Sequence, residues 1–218
     1  MKLTLRNTYL FLFVFVFLYT FFVAGGGRRL GTLFLKKGYY AMDHAQRGDP
    51  TDKTLFYYRL SSILGNQTAK GNLAVFYAYG RGVSQNEPKA VRLFEDILRK
   101  DSLRANICFN LGVMYHDGRG VEANPGNAFI LFRRGAQGGQ AIAQLYLAQY
   151  YESGLNVTQD LQEAYAWYLF AHANGAPTAL LRLHRLQERM DPAQRERAEH
   201  RSKELAAKFP DADGFTLY

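Results

Sequence analysis

The chain has 218 residues and a mass of 24.8 kDa, with 48% hydrophobic and 21% charged residues, a composition that folds rather than stays disordered. Its single cysteine, Cys108, excludes an internal disulfide framework and a cysteine-rich zinc site. The net charge of +8 is concentrated in residues 1–47, which hold seven basic side chains against one acidic one. Because residues 48–218 carry 20 basic and 18 acidic side chains, we expect no nucleic-acid partner.

An uncharged apolar run, YLFLFVFVFLYTFFVA, extends from Tyr9 to Ala24. With its flanking residues it spans residues 8–27, about 30 Å as a helix, which is the thickness of a bilayer core. This length favours an uncleaved membrane anchor over residues 1–27. The small residues at 23–25 leave a cleaved signal sequence as the alternative. Basic residues stand on both sides of the run, so the sequence leaves its orientation open.

Beyond the apolar run, the sequence repeats with a period of 36–38 residues. A Tyr-x-x-Gly-x-Gly-Val motif at residues 77–83 recurs at 115–121 and, more loosely, at 151–157. An alanine follows each motif and begins a pattern of apolar and small residues at offsets 0, +3, +4, +7 and +8, which lie on one face of a helix. Each unit is therefore predicted to be a helix, a turn and a second helix.

The predicted turns carry residues that suit helix ends. Asn86, Asn124 and Asp160 each stand four residues before a repeated alanine, where they can cap the second helix. Asp160 and Glu163 also have the spacing of a capping box. Paired glycines in the first two turns suit a positive φ, and Asn156 replaces the second glycine in the third turn.

These motifs resemble the Sel-one-like repeat family, which is related to the tetratricopeptide repeats. The resemblance covers three repeats within residues 67–177. Together with the apolar run, it implies an all-α fold: a right-handed α/α solenoid of antiparallel helix pairs behind an N-terminal transmembrane helix. Residues 28–66 are predicted to be a degenerate first repeat and linker, residues 178–210 a degenerate helix pair that caps the array, and residues 211–218 a tail.

The resemblance implies a scaffold for protein–protein interaction rather than an enzyme, with no cofactor, no metal and no small-molecule substrate. We expect an adaptor in a multiprotein envelope assembly, held in the bacterial inner membrane through residues 8–27, with the repeats in the periplasm. The cytoplasmic orientation stays open. A factor that contacts a polysaccharide, or the machinery that makes or secretes it, is the alternative function. The five histidines lack the spacing of a zinc site, and Cys108 is predicted to be a buried thiol.

The candidate partner-binding surface is the strip along the first helices, because these helices line the concave face in related arrays. After the core positions are set aside, the strip consists of Val75, Tyr79, Phe109, Val113, His116, Leu145, Gln149 and Glu152. Its apolar centre and polar edges suit a partner peptide or helix. For each of these residues, packing between repeats is the alternative interpretation. Tyr115 and Tyr151 are assigned to the core.

Overall fold

A computed structural model describes residues 26–43, 50–101 and 104–209. Among these residues the structure contains helices and no strands, as the all-α prediction requires. The helices are α1 (Gly26–Asp43), α2 (Asp52–Ile63), α3 (Gln67–Tyr79), α4 (Glu87–Lys100), α5 (Ala105–Asp117), α6 (Pro125–Gln137), α7 (Ala141–Ser153), α8 (Leu161–Ala173), α9 (Ala179–Gln187) and α10 (Pro192–Lys208).

The predicted membrane segment lies almost entirely outside the described residues. Its last two glycines, Gly26 and Gly27, are the first residues of α1. None of the helices in the described part of the chain combines the length and the apolar character needed to cross a membrane. The transmembrane helix therefore stays a prediction.

The chain divides into two compact units, Met1–Asn86 and Glu87–Tyr218. In the first unit, α1 packs against α2, and α2 packs against α3. Gly38 of α1 lies so close to the ring of Tyr58 in α2 that a side chain at this position would overlap it. Tyr58 is fully buried and stacks on Phe76 of α3, with ring centroids 5.7 Å apart. These contacts hold the three helices around one small core.

In the second unit, each helix from α4 to α8 packs against the next one along the chain, and α10 packs against α8. The second and third repeats are the pairs α5–α6 and α7–α8, as predicted from the period. Gly112 allows α5 to approach α6 closely, because a Cβ at this position would lie 2.8 Å from a ring carbon of Phe132. Small residues at repeated positions thus set how near the helices lie.

The predicted helix caps are present in part. Asn124 accepts a hydrogen bond from the backbone N–H of Asn127 at 2.9 Å, and Asp160 accepts from the N–H of Glu163 at 2.9 Å. The carboxylate of Glu163, predicted to complete a capping box, instead accepts from Trp167 Nε1 at 3.1 Å and from Arg201 Nε at 3.0 Å. The reciprocal capping box forms at the start of α10, between Asp191 and Gln194.

The glycines of each turn have the predicted positive φ but different surroundings. Gly118 (φ 72°) ends α5, and a Cβ there would lie 3.3 Å from the Cβ of Ala123. Gly120 (φ 70°) lies against the start of α4, where a Cβ would overlap the backbone of Glu87 and lie 2.6 Å from the nitrogen of Pro88. The second glycine is therefore required both by its φ and by a backbone neighbour.

In the third repeat, the contact between the turn and the preceding second helix is made by other residues. Asn156 occupies the position of Gly120 and has a φ of 57°, the one positive φ outside glycine among the described residues. It faces the start of α6, where Gly126 stands in the repeat position of Pro88. A Cβ on Gly126 would lie 3.0 Å from Asn156 Nδ2, so the asparagine side chain uses room that the smaller residue leaves.

Candidate partner-binding face

An aromatic cluster joins α5, α6 and α7 in the second unit. Phe132 of α6 is fully buried at its centre and stacks on Tyr146 of α7, with ring centroids 4.6 Å apart. Phe109 of α5 lies 6.3 Å from Phe132 and 5.9 Å from Tyr146. The ring of His116 lies 5.9 Å from that of Tyr146. Phe109, His116 and Tyr146 are half-buried and form an outer aromatic layer over Phe132.

A hydrogen bond ties this outer aromatic layer to the core. His116 Nδ1 lies 2.8 Å from the hydroxyl of Tyr150, which is almost completely buried. Burial, and to a lesser extent the nearby charge of Asp117, raise the pKa of Tyr150 to about 12. Tyr150 therefore stays protonated at neutral pH, and the pair fixes the orientation of the His116 ring.

Two residues of the predicted strip, Val113 and Gln149, flank the outer aromatic layer. Val113 packs against the cluster around Phe132, and Gln149 lies three residues after Tyr146, on the same side of α7. Both side chains are half-buried. The predicted strip residues Phe109, Val113, His116 and Gln149 therefore belong to one region of the second unit.

Leu145, predicted to lie on the strip, is buried instead. Leu145 is 6% exposed and belongs to the core cluster that contains residues of α8 and α9. Its neighbour Tyr146 contacts α5 instead and was missed, because the repeat register aligns Phe109 with Leu145. The spacing of Ile142, Tyr146 and Gln149, four and three residues apart, was the signal that could have indicated this face.

Glu152, also predicted on the strip, is engaged in hydrogen bonds within the second unit. Its Oε2 accepts from the hydroxyl of Tyr168 in α8 at 2.7 Å, and its Oε1 accepts from Arg189 Nη1 at 3.0 Å. Burial, and the hydrogen bond to this carboxylate, raise the pKa of Tyr168. Glu152 thereby links α7 to α8 and to the segment after α9.

The two strip residues of the first unit lie on α3. Val75 is half-buried, and Tyr79, four residues later on the same side of the helix, is 51% exposed. These two residues give the first unit an apolar surface of its own. Whether any strip residue contacts a partner stays a prediction.

Tyr115 and Tyr151, assigned to the core from the sequence, are half-buried at its edge. The hydroxyl of Tyr115 donates to Glu95 Oε1 at 2.9 Å, and the ring of Tyr151 meets Phe129 edge-on at 5.8 Å. Burial and the Glu95 carboxylate raise the pKa of Tyr115. The fully buried tyrosines of these repeats are Tyr150, Tyr165 and Tyr168.

No group of three or more His, Cys, Asp and Glu side chains is arranged to hold a metal ion within residues 26–43, 50–101 and 104–209. Cys108 is buried, as predicted, and burial raises the pKa of its thiol to about 11. The thiol therefore stays protonated at neutral pH, whereas a cysteine nucleophile needs its thiolate.

The family model described as Sel1 repeat matches residues 69–95, 107–140 and 141–175. These three segments are Sel1-like repeats. The second match covers α6 and all but the first two residues of α5, and the third covers α7 and α8, so the outer aromatic layer is built on two Sel1-like repeats. This confirms the resemblance predicted from the repeated motifs.

Two solved Sel1-like repeat structures resemble this one. A protective antigen of uropathogenic Escherichia coli that displays an SLR fold has a TM-score of 0.73 and 26% identity, covering 87% of this chain and 40% of the antigen. A Sel1 repeat protein from Oxalobacter formigenes has a TM-score of 0.63 and 22% identity, covering 82% of this chain and 73% of the other. The second similarity supports the fold alone.

A human relative also shares the repeats. Protein sel-1 homolog 2 from Homo sapiens is 24% identical over 162 residues, which are 70% of this chain and 23% of the relative. The chain therefore spans about a quarter of the length of this curated relative.

Proposed function

We propose that this Sel1-like repeat protein is a membrane-anchored scaffold whose second unit binds a partner protein on the outer aromatic layer. The observation that carries the proposal is that Phe109, His116 and Tyr146 are held half-buried over the fully buried Phe132. Aromatic residues are enriched at protein interfaces, and centrally placed ones contribute most of the binding energy there. A preorganised layer of rings loses little conformational entropy when a partner binds.

The composition of this face indicates the chemistry of the partner. Val113 extends the layer with an aliphatic side chain, and Gln149 adds an uncharged amide. An apolar centre bordered by neutral hydrogen-bonding groups suits the apolar side of an amphipathic helix or an extended peptide. The proposed partner therefore presents an apolar segment to this face.

The apolar run before the repeats supports the anchoring half of the proposal. Residues 9–24 contain no charged side chain and are the part of the chain suited to a bilayer. We place the anchor in a bacterial inner membrane and the repeats in the periplasm, in line with the bacterial source of two similar structures. A scaffold held in this way captures its partner at the membrane surface.

Photocrosslinking in intact membranes tests the partner-binding face. A benzophenone amino acid at Val113 or Gln149 is expected to crosslink the same partner protein, whereas the same probe at Leu181 of α9, which is 54% exposed, is not. The double variant Val113→Glu/Gln149→Glu should abolish capture while the melting temperature stays within a few degrees of that of the unaltered chain. Ile130→Glu, on the exposed side of α6, is the matched control and should retain capture.

Two results would contradict the proposed face. One is crosslinking at Leu181 with the same yield as at Val113. The other is unfolding of the double variant, which would show that these side chains only pack between repeats. Binding of purified glycans by the full chain, lost in the same double variant, would favour the polysaccharide-contacting function instead.

A further inference from the structure

Helix α1 has an exposed face opposite the one that packs on α2. Gly31 and Gly38 mark the packed face, because side chains there would contact Leu64 and Tyr58 respectively. Half a helical turn away, the exposed side carries four side chains at spacings of four, three and four residues: Arg29, Leu33, Lys36 and Tyr40. Leu33 is 47% exposed and Tyr40 is 68% exposed. We call these four residues the outer face of α1.

The net positive charge of the chain lies in the first unit, and part of it lies on α1. The unit Met1–Asn86 holds 11 basic and 3 acidic side chains, a net charge of +8, whereas Glu87–Tyr218 holds 16 of each and is neutral. Four of the basic residues, Arg28, Arg29, Lys36 and Lys37, lie on α1, where Asp43 is the only acidic residue. The outer face is therefore complementary to an anionic surface.

The position of α1 in the chain indicates which anionic surface is nearest. The apolar run ends at Ala24, and α1 begins at Gly26. A chain anchored through that run emerges from the headgroup region at the first turn of α1. Anchoring would keep the local concentration of lipid phosphates around α1 high, so that a short face suffices for binding.

We propose that α1 lies along the surface of an anionic bilayer through its outer face. Leu33 and Tyr40 insert among the headgroups, where an apolar side chain and an amphipathic ring are both favourable, and Arg29 and Lys36 contact lipid phosphates. The inference rests on the proposed anchoring, since the anchor brings α1 to the bilayer. Its consequence is that the first unit has a defined face toward the membrane.

Fluorescence quenching on the full chain in vesicles tests this inference. A polarity-sensitive probe is attached to Leu33→Cys, while the native Cys108 is buried and does not compete for the label. In vesicles of equal parts phosphatidylcholine and phosphatidylglycerol, we expect quenching by acrylamide, a neutral quencher that the lipid charge does not repel, to fall at least about threefold relative to pure phosphatidylcholine. The same probe on Leu181→Cys in the second unit is the matched control and should be quenched equally in both vesicles.

Charge reversal separates the role of the lipids from that of the anchor. Arg29→Glu/Lys36→Glu should restore full acrylamide quenching at Leu33→Cys, whereas Arg92→Glu/Arg185→Glu, two exposed cations of the second unit, should leave the shielding intact. If the chain floats with both kinds of vesicle but the Leu33 probe stays accessible, the inference is wrong and the anchoring stands. If the chain floats with neither, the proposed anchoring itself is wrong.

Two further outcomes would also overturn the inference. Equal shielding in neutral and anionic vesicles would remove the role of the basic side chains. Shielding that depends on protein concentration in detergent, without vesicles, would show that the outer face contacts a second copy of the chain.

Discussion

The two compact units differ in how their charges and apolar side chains are arranged. In the described part of the first, the exposed large apolar side chains are mainly aromatic: Leu33, Tyr39, Tyr40, Phe56, Ile63 and Tyr79. In the described part of the second, the exposed large apolar side chains are aliphatic: Ile130, Leu155, Leu180 and Leu181. Most rings in this described part are packed in clusters instead. The whole net charge of the chain resides in the first unit.

This difference fits the two proposed roles, partner binding by the second unit and membrane contact by the first. The second unit is neutral because basic and acidic residues are equal in number, and several of them form pairs across helices, such as Arg119 with Glu87 at 2.8 Å and Arg201 with Glu163 at 3.0 Å. Such a unit can present a partner-binding face without attracting anions. The first unit combines excess positive charge with exposed rings, a combination that suits a lipid surface.

The largest expected effect distinguishes a buried ring of the second unit from an exposed ring of the first. Phe132→Ala removes the fully buried centre of the aromatic cluster and should lower the free energy of unfolding by about 3–5 kcal/mol. Phe56→Ala, at a ring that is 59% exposed on α2, should change it by less than about 0.5 kcal/mol. Urea denaturation followed by circular dichroism measures both, and equal losses would contradict the contrast between the units.

The next effect concerns glycines with a positive φ. Each unit has one crowded and one open position of this kind: Gly82 and Gly65 in the first unit, Gly120 and Gly175 in the second. A Cβ at Gly120 would overlap backbone, and one at Gly82 would lie 2.7 Å from Pro50 Cγ, whereas Gly175 and Gly65 have open space around them. Alanine at all four positions costs about 1–2 kcal/mol for the left-handed conformation. Gly120→Ala and Gly82→Ala should cost about 1–3 kcal/mol more from overpacking.

Melting temperatures of the four alanine variants measure this difference. If Gly175→Ala destabilises the chain as much as Gly120→Ala, then φ alone decides the cost and the backbone contact is irrelevant. The structure predicts a milder effect at Gly118, where the nearest neighbour is the Cβ of Ala123 at 3.3 Å.

A smaller effect is expected from alkaline pH in the second unit. Burial raises the pKa of Tyr150 from 10.0 to about 12 and that of Cys108 from 9.0 to about 11. Because both pKa values are higher in the folded than in the unfolded chain, their stabilising contribution is complete below about pH 9 and is lost as the pH rises toward 12. The urea midpoint should therefore fall between about pH 9 and 12.

The Tyr150→Phe variant tests how much of the loss of stability at alkaline pH is due to Tyr150. It should be less stable at neutral pH, because the hydrogen bond with His116 is lost, but should lose less stability above about pH 10 than the unaltered chain. An identical pH dependence in the two proteins would show that Tyr150 does not contribute.

The smallest expected change in stability comes from breaking one ion pair of the second unit. Arg201→Gln breaks the pair with Glu163 at a side chain that is 43% exposed, and it should cost less than about 1 kcal/mol. Glu163→Ala should cost about 1–3 kcal/mol, because it also leaves the part-buried Trp167 Nε1 without its acceptor. Thermal denaturation of both variants checks the order, and the reverse order would contradict the assigned roles.

Much of the fold could be predicted from the repeated motifs. The period located the helix pairs, and the glycines and Asn156 indicated the positive φ of each turn, because these features depend on the residue and its neighbours in sequence. The face of α7 could not be predicted in the same way. Phe109 and Leu145 are equivalent in the repeat, but α7 contributes Leu145 to a core shared with α8 and α9 and turns Tyr146 toward α5.

The roles of Glu163 and Gly120 were hidden for a similar reason. Glu163 has the spacing of a capping box, yet the structure brings Trp167 and Arg201 to its carboxylate, and Arg201 is distant in the sequence. Gly118 and Gly120 look equivalent in the motif, and only the backbone of α4 distinguishes them. Periodicity predicts the features that all repeats share. The roles of Glu163 and Gly120 depend instead on residues that contact only one of the repeats.

The exchange of Gly120 and Pro88 for Asn156 and Gly126 limits how such a protein can evolve by gaining or losing repeats. Deleting residues 118–153 would remove one full period and join α5 directly to the turn that contains Asn156. That asparagine would then meet the start of α4, where even a Cβ overlaps the backbone. Repeats of this chain are therefore not interchangeable modules, and a recombined array would need compensating substitutions at each new junction before it could pack as tightly as its parent.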